Sequence, residues 1–213
     1  MEAAQEGLTG IALAPGIVLW REKLGRSEQR ILIDEIFARV ADAPFYRPTM
    51  PRSDAPFSVR ETNFGTLGWY SDRAGYRYVP AHPLTGKPWP AIPERLIALW
   101  SRATGYPAPP ECCLVNLYRD GARMGLHQDH DEEAMDAPVL SVSLGDEALF
   151  RIGGTKRRQP SRSVKLSSGD VLMFGGPARL AFHGIDRVIH GSSGAVPGGG
   201  RINLTLRRVH TPK

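Results

Sequence analysis

The chain has 213 residues, 41% hydrophobic and 23% charged, with a formal net charge of +5 and a pI of about 9.5. That length and composition suit one soluble domain with its own core, so neither a disulfide nor a structural metal is needed for folding. No long apolar run and no basic-then-apolar leader occurs, so neither membrane spanning nor secretion is expected, and the cytoplasm is.

Residues 1–26 read as a tail and a short extended entry. Ser27 is placed to cap a helix in which Ile33, Ile36, Phe37 and Val40 recur at helical spacing. A second helix is predicted from near Pro93, with Leu96, Leu99, Trp100 and Ala103 on one face and Gly105 as its C-cap. Between them, residues 45–92 are irregular and rich in Pro, Gly and aromatics, as functional loops often are. From Cys112 onward, CCLVNLY, PVLSVSLG, ALFRIGG, SVKLSSGDVLMFGG, RLAFHGI and RINLTLRRV alternate with turn residues. Short strands at that spacing argue for a mainly β protein with flanking helices, a sandwich or barrel rather than a parallel α/β sheet. Cys112 and Cys113 are adjacent and cannot bridge without strain, and no CxxC pair exists, so both are expected to be reduced.

Charge is unevenly spread. Residues 151–166 carry six Lys/Arg and no acid, whereas Asp129, Asp131, Glu132 and Glu133 lie close together. A basic rim beside an acidic centre suits a cation site approached by a polyanion. A solvated loop has the same composition.

His127-Gln128-Asp129 sets an imidazole and a carboxylate two residues apart, on one face of an extended backbone. His183 follows 54 residues after Asp129, inside a predicted apolar strand. Two histidines and a carboxylate with open positions beside them suit a non-haem Fe(II) oxygenase, where co-substrate and O₂ must both bind. An HxD pair alone is common on surfaces and in cores, so the triad needs support. His130 points away from that face, Asp131 shares it, and His82, His190 and His210 lack partners at ligand spacing.

Support comes from the last strand. In RINLTLR the polar Arg201, Asn203, Thr205 and Arg207 face one side and Ile202, Leu204 and Leu206 the other. Leu114, Asn116 and Tyr118 likewise share a face. Arginine offers a planar fork for a carboxylate. The two arginines span roughly 20 Å along a strand, so spacing alone does not bring both to one ligand. An exposed edge strand with salt bridges would show the same alternation.

Taken together, NLYRDGARMGLHQDHD, SVSLG, FHGI and RINLTLR, with TNFGTLGW, GYRY and KPWP before them, resemble the AlkB family of Fe(II)- and 2-oxoglutarate-dependent dioxygenases, most closely its bacterial DNA-repair branch. The resemblance covers most of the chain. It implies one domain over residues 1–213: a double-stranded β-helix (jelly roll) core at 106–213 behind an N-terminal nucleotide-recognition lid at 45–92. It implies Fe(II) on His127, Asp129 and His183, O₂ as oxidant, and 2-oxoglutarate held by Asn116, Tyr118, Arg201, Asn203 and Arg207, with the pairing of arginines to carboxylates left open. It implies that Trp69 stacks on a damaged base against His127, that Tyr76, Arg77 and Tyr78 contact the substrate backbone, that Asp131 sits near the base, and that Arg157 lies at the nucleic-acid surface. The implied substrate is alkylated single-stranded or duplex DNA, or RNA, and the implied enzyme is a monomer. The implied reaction is oxidative dealkylation: hydroxylation of an alkyl carbon on a base nitrogen, as in 1-methyladenine or 3-methylcytosine, then release of formaldehyde, with succinate as co-product. Met124, Ala181 and Glu61 depart from the pattern, Glu61 by adding a negative charge on the presumed nucleic-acid side. Two other functions compete: a dioxygenase of the same fold acting on protein, lipid or a small molecule, and a non-catalytic nucleic-acid-binding module with a structural metal.

Overall fold

The computed structural model describes residues 10–212. Two short strands, β1 (Ile11–Ala14) and β2 (Ile17–Trp20), form a hairpin ahead of helix α1 (Arg26–Val40). The entry is thus a paired strand of the core sheet rather than a tail; residues 1–9 of the expected tail lie outside the described residues. Ser27 lies inside α1 and is not its cap. Gly25 holds the N-cap position, and its N–H donates to the Glu28 carboxylate at 2.8 Å. The acid three residues into the helix meets the need that a capping hydroxyl would have met. Leu32, Ile33 and Ile36 are buried, with Phe37 and Val40 packed beside them. Helix α2 (Glu94–Thr104) begins after Pro93 and ends at Gly105, whose φ of 63° is the left-handed conformation glycine accepts readily.

Residues 45–92 are more ordered than their composition predicts. They contain β3 (Arg60–Gly65) and the hairpin of β4 (Gly68–Asp72) and β5 (Gly75–Val79). The rest is β6 (Cys112–Tyr118), β7 (Met124–His127), β8 (Val139–Gly145), β9 (Glu147–Ile152), β10 (Arg162–Leu166), β11 (Val171–Phe174), β12 (His183–Ile189) and β13 (Arg201–Arg207). RLAFHGI is a strand only from His183 onward; a single turn of 3-10 helix precedes it at Gly176–Ala178.

All the named strand pairs are antiparallel. One sheet has the order β1-β2-β11-β8-β13-β6-β3 and the other β10-β9-β12-β7. This is the double-stranded β-helix, or jelly roll. Strands β6, β8 and β13 are buried along their whole length. Their period-two alternation explains how. Cys113, Val115, Leu117, Leu140, Val142, Leu144, Ile202, Leu204 and Leu206 pack on the outer side with α1 and α2 residues. The opposite face points between the sheets, where Phe150, Ile152, Phe174 and Ile185 form a second core. The large sheet is therefore covered on both faces, and polar side chains on its inner face reach a cavity rather than water. No helix among the described residues is long and apolar enough to cross a membrane.

Candidate active site

Strand pairing assembles the metal triad. His183, the first residue of β12, pairs with His127, the last of β7, and their rings stand 4.4 Å apart. Gly184 permits this approach, because a Cβ there would fall 2.5 Å from the Met124 carbonyl oxygen. Asp129, two residues beyond β7, brings its carboxylate within 3.7 Å of His127 Nε2 and 3.8 Å of His183 Nε2. The three ligand atoms lie within 4.8 Å of one another.

Each imidazole is set for metal binding. His127 Nδ1 lies 3.0 Å from the Gly125 carbonyl and His183 Nδ1 2.9 Å from the Ala181 carbonyl. A carbonyl only accepts, so each Nδ1 carries the hydrogen and each Nε2 keeps its lone pair for an ion. Burial, together with His127, lowers the His183 pKa to about 4, which keeps that ring neutral. For Asp129, burial alone would raise the pKa. Arg207, His183, His127 and Arg179 outweigh it and hold the carboxyl well below the usual range.

Asp129 is fixed by Arg207, which donates Nη2 to Oδ1 at 2.8 Å and Nε to Oδ2 at 3.2 Å. Glu132 continues the network, 3.6 Å from Arg207 Nε and 2.9 Å from Arg179 Nη2, and accepts a short hydrogen bond from the Tyr78 hydroxyl. Arg179 also donates to the backbone carbonyls of Asp129 (2.6 Å) and Ala137 (2.8 Å). Two buried arginines thus balance two buried carboxylates and clamp the segment that carries the metal carboxylate. Glu132 is visible in the sequence only as one of an acidic cluster, and Arg179 not at all, because the two lie 47 residues apart. Replacing Arg179 with alanine removes the closest cation from buried Glu132, leaving it Arg207 at 3.6 Å and the Tyr78 hydroxyl. A loss of about 3–5 kcal/mol of stability is expected, measurable by urea unfolding, together with weaker metal binding. Unchanged stability would show that the clamp carries no load.

The polar face of β13 lines a cavity of about 650 Å³, well within the size of ligand sites. Register sets Arg201 opposite Tyr118 and Asn203 opposite Asn116. Both arginines face the cavity despite their separation along the strand. They differ sharply in what they already hold. Arg207 is spent on Asp129. Arg201 donates Nη2 to Ser143 Oγ at 3.0 Å and sits 5.3 Å over the Tyr118 ring, but its Nε and Nη1 have no partner among the described residues. The Asn116 Oδ1 is also without one. Burial lowers the Arg201 pKa, as it must for a cation sealed from water without a counter-ion. Asn203 spends its amide within the sheet, on Ser141 Oγ (2.7 Å) and the Val142 carbonyl (3.2 Å).

At the cavity's other end stand Trp69 and Tyr76, stacked at 5.4 Å and 23°. Trp69 is held by its neighbours: Asn63 exchanges two hydrogen bonds of 3.0 Å with its backbone, and Asp131 accepts its indole N–H at 2.9 Å. Tyr76 is exposed. Arg77 is turned aside, paired with Asp72 at 2.7 and 2.8 Å and lying over the Tyr70 ring. Tyr78 points inward to Glu132. Met124 borders the cavity with its sulfur 3.8 Å from the Tyr118 hydroxyl, and Ala181 is buried. Arg157 lies at the rim, 6.0 Å from the Phe182 ring. Within the basic stretch, Arg151 is paired with Asp186 and Lys165 with Glu147, and Arg162 donates to the Leu13 carbonyl. Lys156, Arg157 and Arg158 remain exposed. Glu61 is not an exposed charge. It is wholly buried and lines the cavity, because it pairs in register with Asn116 on the inner face of the sheet.

The model of the 2OG-Fe(II) oxygenase superfamily matches residues 16–207. The chain belongs to that superfamily. Within it the chain belongs to the AlkB family: it is 55% identical to the "Alpha-ketoglutarate-dependent dioxygenase AlkB homolog" of Caulobacter vibrioides, over 98% of this chain and 96% of that one. It is 30% identical to the "DNA N(6)-methyladenine demethylase ALKBH1C" of Arabidopsis thaliana, over 96% of this chain and 51% of that one. The solved structure of OsALKBH1 superposes with a TM-score of 0.82 at 30% identity, covering 93% of this chain and 99% of that one. The protein is therefore an Fe(II)- and 2-oxoglutarate-dependent dioxygenase, with Fe(II), 2-oxoglutarate and O₂ as its cofactor set. Its residues fit that set. A dianionic co-substrate answers the free Nε and Nη1 of Arg201, and two neutral imidazoles with one carboxylate answer the ferrous ion.

Proposed function

We propose that this dioxygenase removes alkyl groups from base nitrogens in DNA, 1-methyladenine and 3-methylcytosine among them, as a direct-reversal repair enzyme. One observation carries the reading: a single cavity joins the triad and Arg201, two of whose nitrogens have no partner among the described residues, to an aromatic gate of Trp69 and Tyr76 under a basic rim. A flat, charged substrate on a polyanionic backbone fits that combination, whereas a lipid or a small acid would need no such gate. RNA presents the same bases and remains a second substrate to assay.

Each residue has a task in that reading. His127, Asp129 and His183 hold Fe(II). Arg201 takes the far carboxylate of 2-oxoglutarate with Tyr118 and Asn116 beside it, since its free N–H groups lie deep in the cavity. Arg207, locked to Asp129, meets the end nearer the metal, and Asn203 braces the floor through Ser141. When bound, iron, 2-oxoglutarate and O₂ supply the oxidation that hydroxylates the alkyl carbon, and the resulting hemiaminal collapses to formaldehyde and the restored base. A base must leave its stack to reach this depth. Trp69 offers it a ring face, with His127 as the opposite wall and Asp131 favouring a cationic base. A base–aromatic stack of this kind is worth roughly 1–3 kcal/mol. Tyr76, exposed in the lid of residues 45–92, is assigned to the strand's backbone; Arg77, held by Asp72, and Tyr78, whose hydroxyl is engaged by Glu132, brace the lid behind it.

The deciding experiment is formaldehyde release from 1-methyladenine and 3-methylcytosine in single-stranded and duplex DNA, with and without 2-oxoglutarate. Absence of iron- and 2-oxoglutarate-dependent turnover on all of them would sink the reading. The basic rim has its own test. Arg157→Ala should weaken DNA binding across sequences and shrink the salt slope by about one phosphate contact. An unchanged slope in fluorescence anisotropy removes Arg157 from the interface. We also infer a single catalytic domain acting as a monomer in the cytoplasm; the buried, unbridged thiols of Cys112 and Cys113 suit a reducing compartment.

A further inference from the structure

Glu61 is the one wholly buried carboxyl in the cavity that nothing above employs. It is 0% exposed, and neither of its side-chain oxygens has a hydrogen-bond partner among the described residues. A buried acid left so is costly unless something arrives to meet it. The cation that reaches it is Arg207, already engaged by Asp129 and Glu132. Against that attraction, burial raises the Glu61 pKa to about 8, so the group is mostly protonated at neutral pH. A protonated carboxyl both donates and accepts a hydrogen bond, which a carboxylate does not.

The register says what Glu61 faces. It lies opposite Asn116, and Asn116 lies opposite Asn203, so the three form one row across the cavity floor. Glu61 is at the lid end of that row, with Tyr46 bridged to its other side. The charged and titratable groups acting on or paired with it are Arg207 from β13, Tyr118 from β6, and Tyr46. Arg201 stands two strands away, roughly 10 Å at the usual strand spacing, with Asn116 and Tyr118 of β6 between them, so a carboxylate held by Arg201 meets those two side chains before Glu61. What remains within the cavity is the base admitted past Trp69 and Tyr76. Its alkylated edge has to point down to the triad, and the exocyclic groups beside the alkyl carbon then come over the floor.

We propose that Glu61 is a specificity-determining residue that donates a hydrogen bond to the exocyclic oxygen at the fourth position of a bound N3-alkylated pyrimidine, where 3-methylcytosine has an amino group instead, so that the site accepts neutral lesions with a carbonyl there. This rests on the DNA-dealkylation reading and deepens it. Asp131 serves cationic bases by its charge, and Glu61 serves neutral ones by its proton. An apolar side chain at position 61 would leave the oxygen of a neutral base desolvated and unpaired, and a site lacking a hydrogen-bond partner discriminates strongly against such a ligand.

The test compares 3-methylcytosine with 3-methyluracil in one single-stranded oligonucleotide. At the pyrimidine's fourth position one carries an amino group and positive charge, the other an oxygen and none. Wild type, Glu61→Leu and Glu61→Gln are assayed for kcat/KM on each, and the metal-free proteins for Kd on each. Glu61→Leu should lower kcat/KM on 3-methyluracil about tenfold more than on 3-methylcytosine, the scale of one lost hydrogen bond. Its Kd should shift in the same sense. Glu61→Gln, which keeps a donor and an acceptor, should restore the ratio to within about threefold of wild type. Equal losses on both substrates, or a raised KM for 2-oxoglutarate with an unchanged substrate ratio, would overturn the proposal in favour of a structural or co-substrate role. If wild type turns over neither base, nor 1-methyladenine, the dealkylation reading fails. The metal-free Kd values then still decide Glu61, since a ratio of Kd on the two bases that is unaltered in Glu61→Leu rules it out.

Discussion

Replacing Asp129 with alanine will leave a protein without 2-oxoglutarate-dependent turnover and with a weaker fold. Both effects come from one carboxylate. It is the third ligand of the triad, and without it two imidazoles 4.4 Å apart hold an ion poorly. It is also the bidentate partner of Arg207, which is buried. Removing one member of a buried pair costs about 3–5 kcal/mol, eased here by Glu132 at 3.6 Å from Arg207 Nε. Asp129→Asn separates the two effects, because its amide oxygen still accepts from Arg207 while the negative charge is gone. Isothermal titration with Mn(II) as the iron substitute should show weak binding in both variants, and urea unfolding a larger loss in alanine than in asparagine. DNA binding by the metal-free variants should persist, since the rim and gate are intact. Normal metal binding and turnover in a folded Asp129→Ala protein would dismiss the triad.

How much of this was legible in the chain depends on where each residue finds its partner. Strand β13 was readable because a period of two writes both of its faces into seven residues: Ile202, Leu204 and Leu206 toward the helices, Arg201, Asn203, Thr205 and Arg207 into the cavity. The same rule exposed the shared face of Leu114, Asn116 and Tyr118. His127, Asp129 and His183 were readable as residue types, but the FHGI context mattered more than the apolar run preceding it. That run is not a strand, and its Arg179 turns inward to the metal segment. Strand β3 was missed for a related reason. RETNFG lacks apolar alternation because its inner face meets a polar cavity and its pairing partner, β6, lies some fifty residues later. A strand that lines a ligand site looks like a loop to any test built on hydrophobic period. Glu61 was misplaced with it. Its charge suggested water, whereas its register puts it beside Asn116. Ser27 failed on a smaller scale, because Glu28 satisfied the helix end from inside.

The role of Arg201 makes the second large prediction, and its two parts have opposite signs. Arg201→Leu will abolish productive 2-oxoglutarate binding and at the same time stabilise the ligand-free protein. The wild-type guanidinium is buried, with one hydrogen bond to Ser143 and two nitrogens unpartnered among the described residues. Burial without a counter-ion disfavours the charged form, as its lowered pKa records. Exchanging such a group for an apolar one of similar volume is worth about 1–4 kcal/mol where ionic groups have been replaced in cores. In a domain of this size that is roughly 2–4 °C in Tm per kcal/mol. Saturating 2-oxoglutarate at a hundred times its Kd should stabilise the metal-loaded wild type by about 2.7 kcal/mol and leave the leucine variant unmoved. The arginine is then a residue kept at the expense of the empty fold because the co-substrate neutralises it. Thermal unfolding of both proteins, with and without 2-oxoglutarate, decides the point. A destabilised leucine variant that still gains stability from 2-oxoglutarate would show that the carboxylate is held elsewhere.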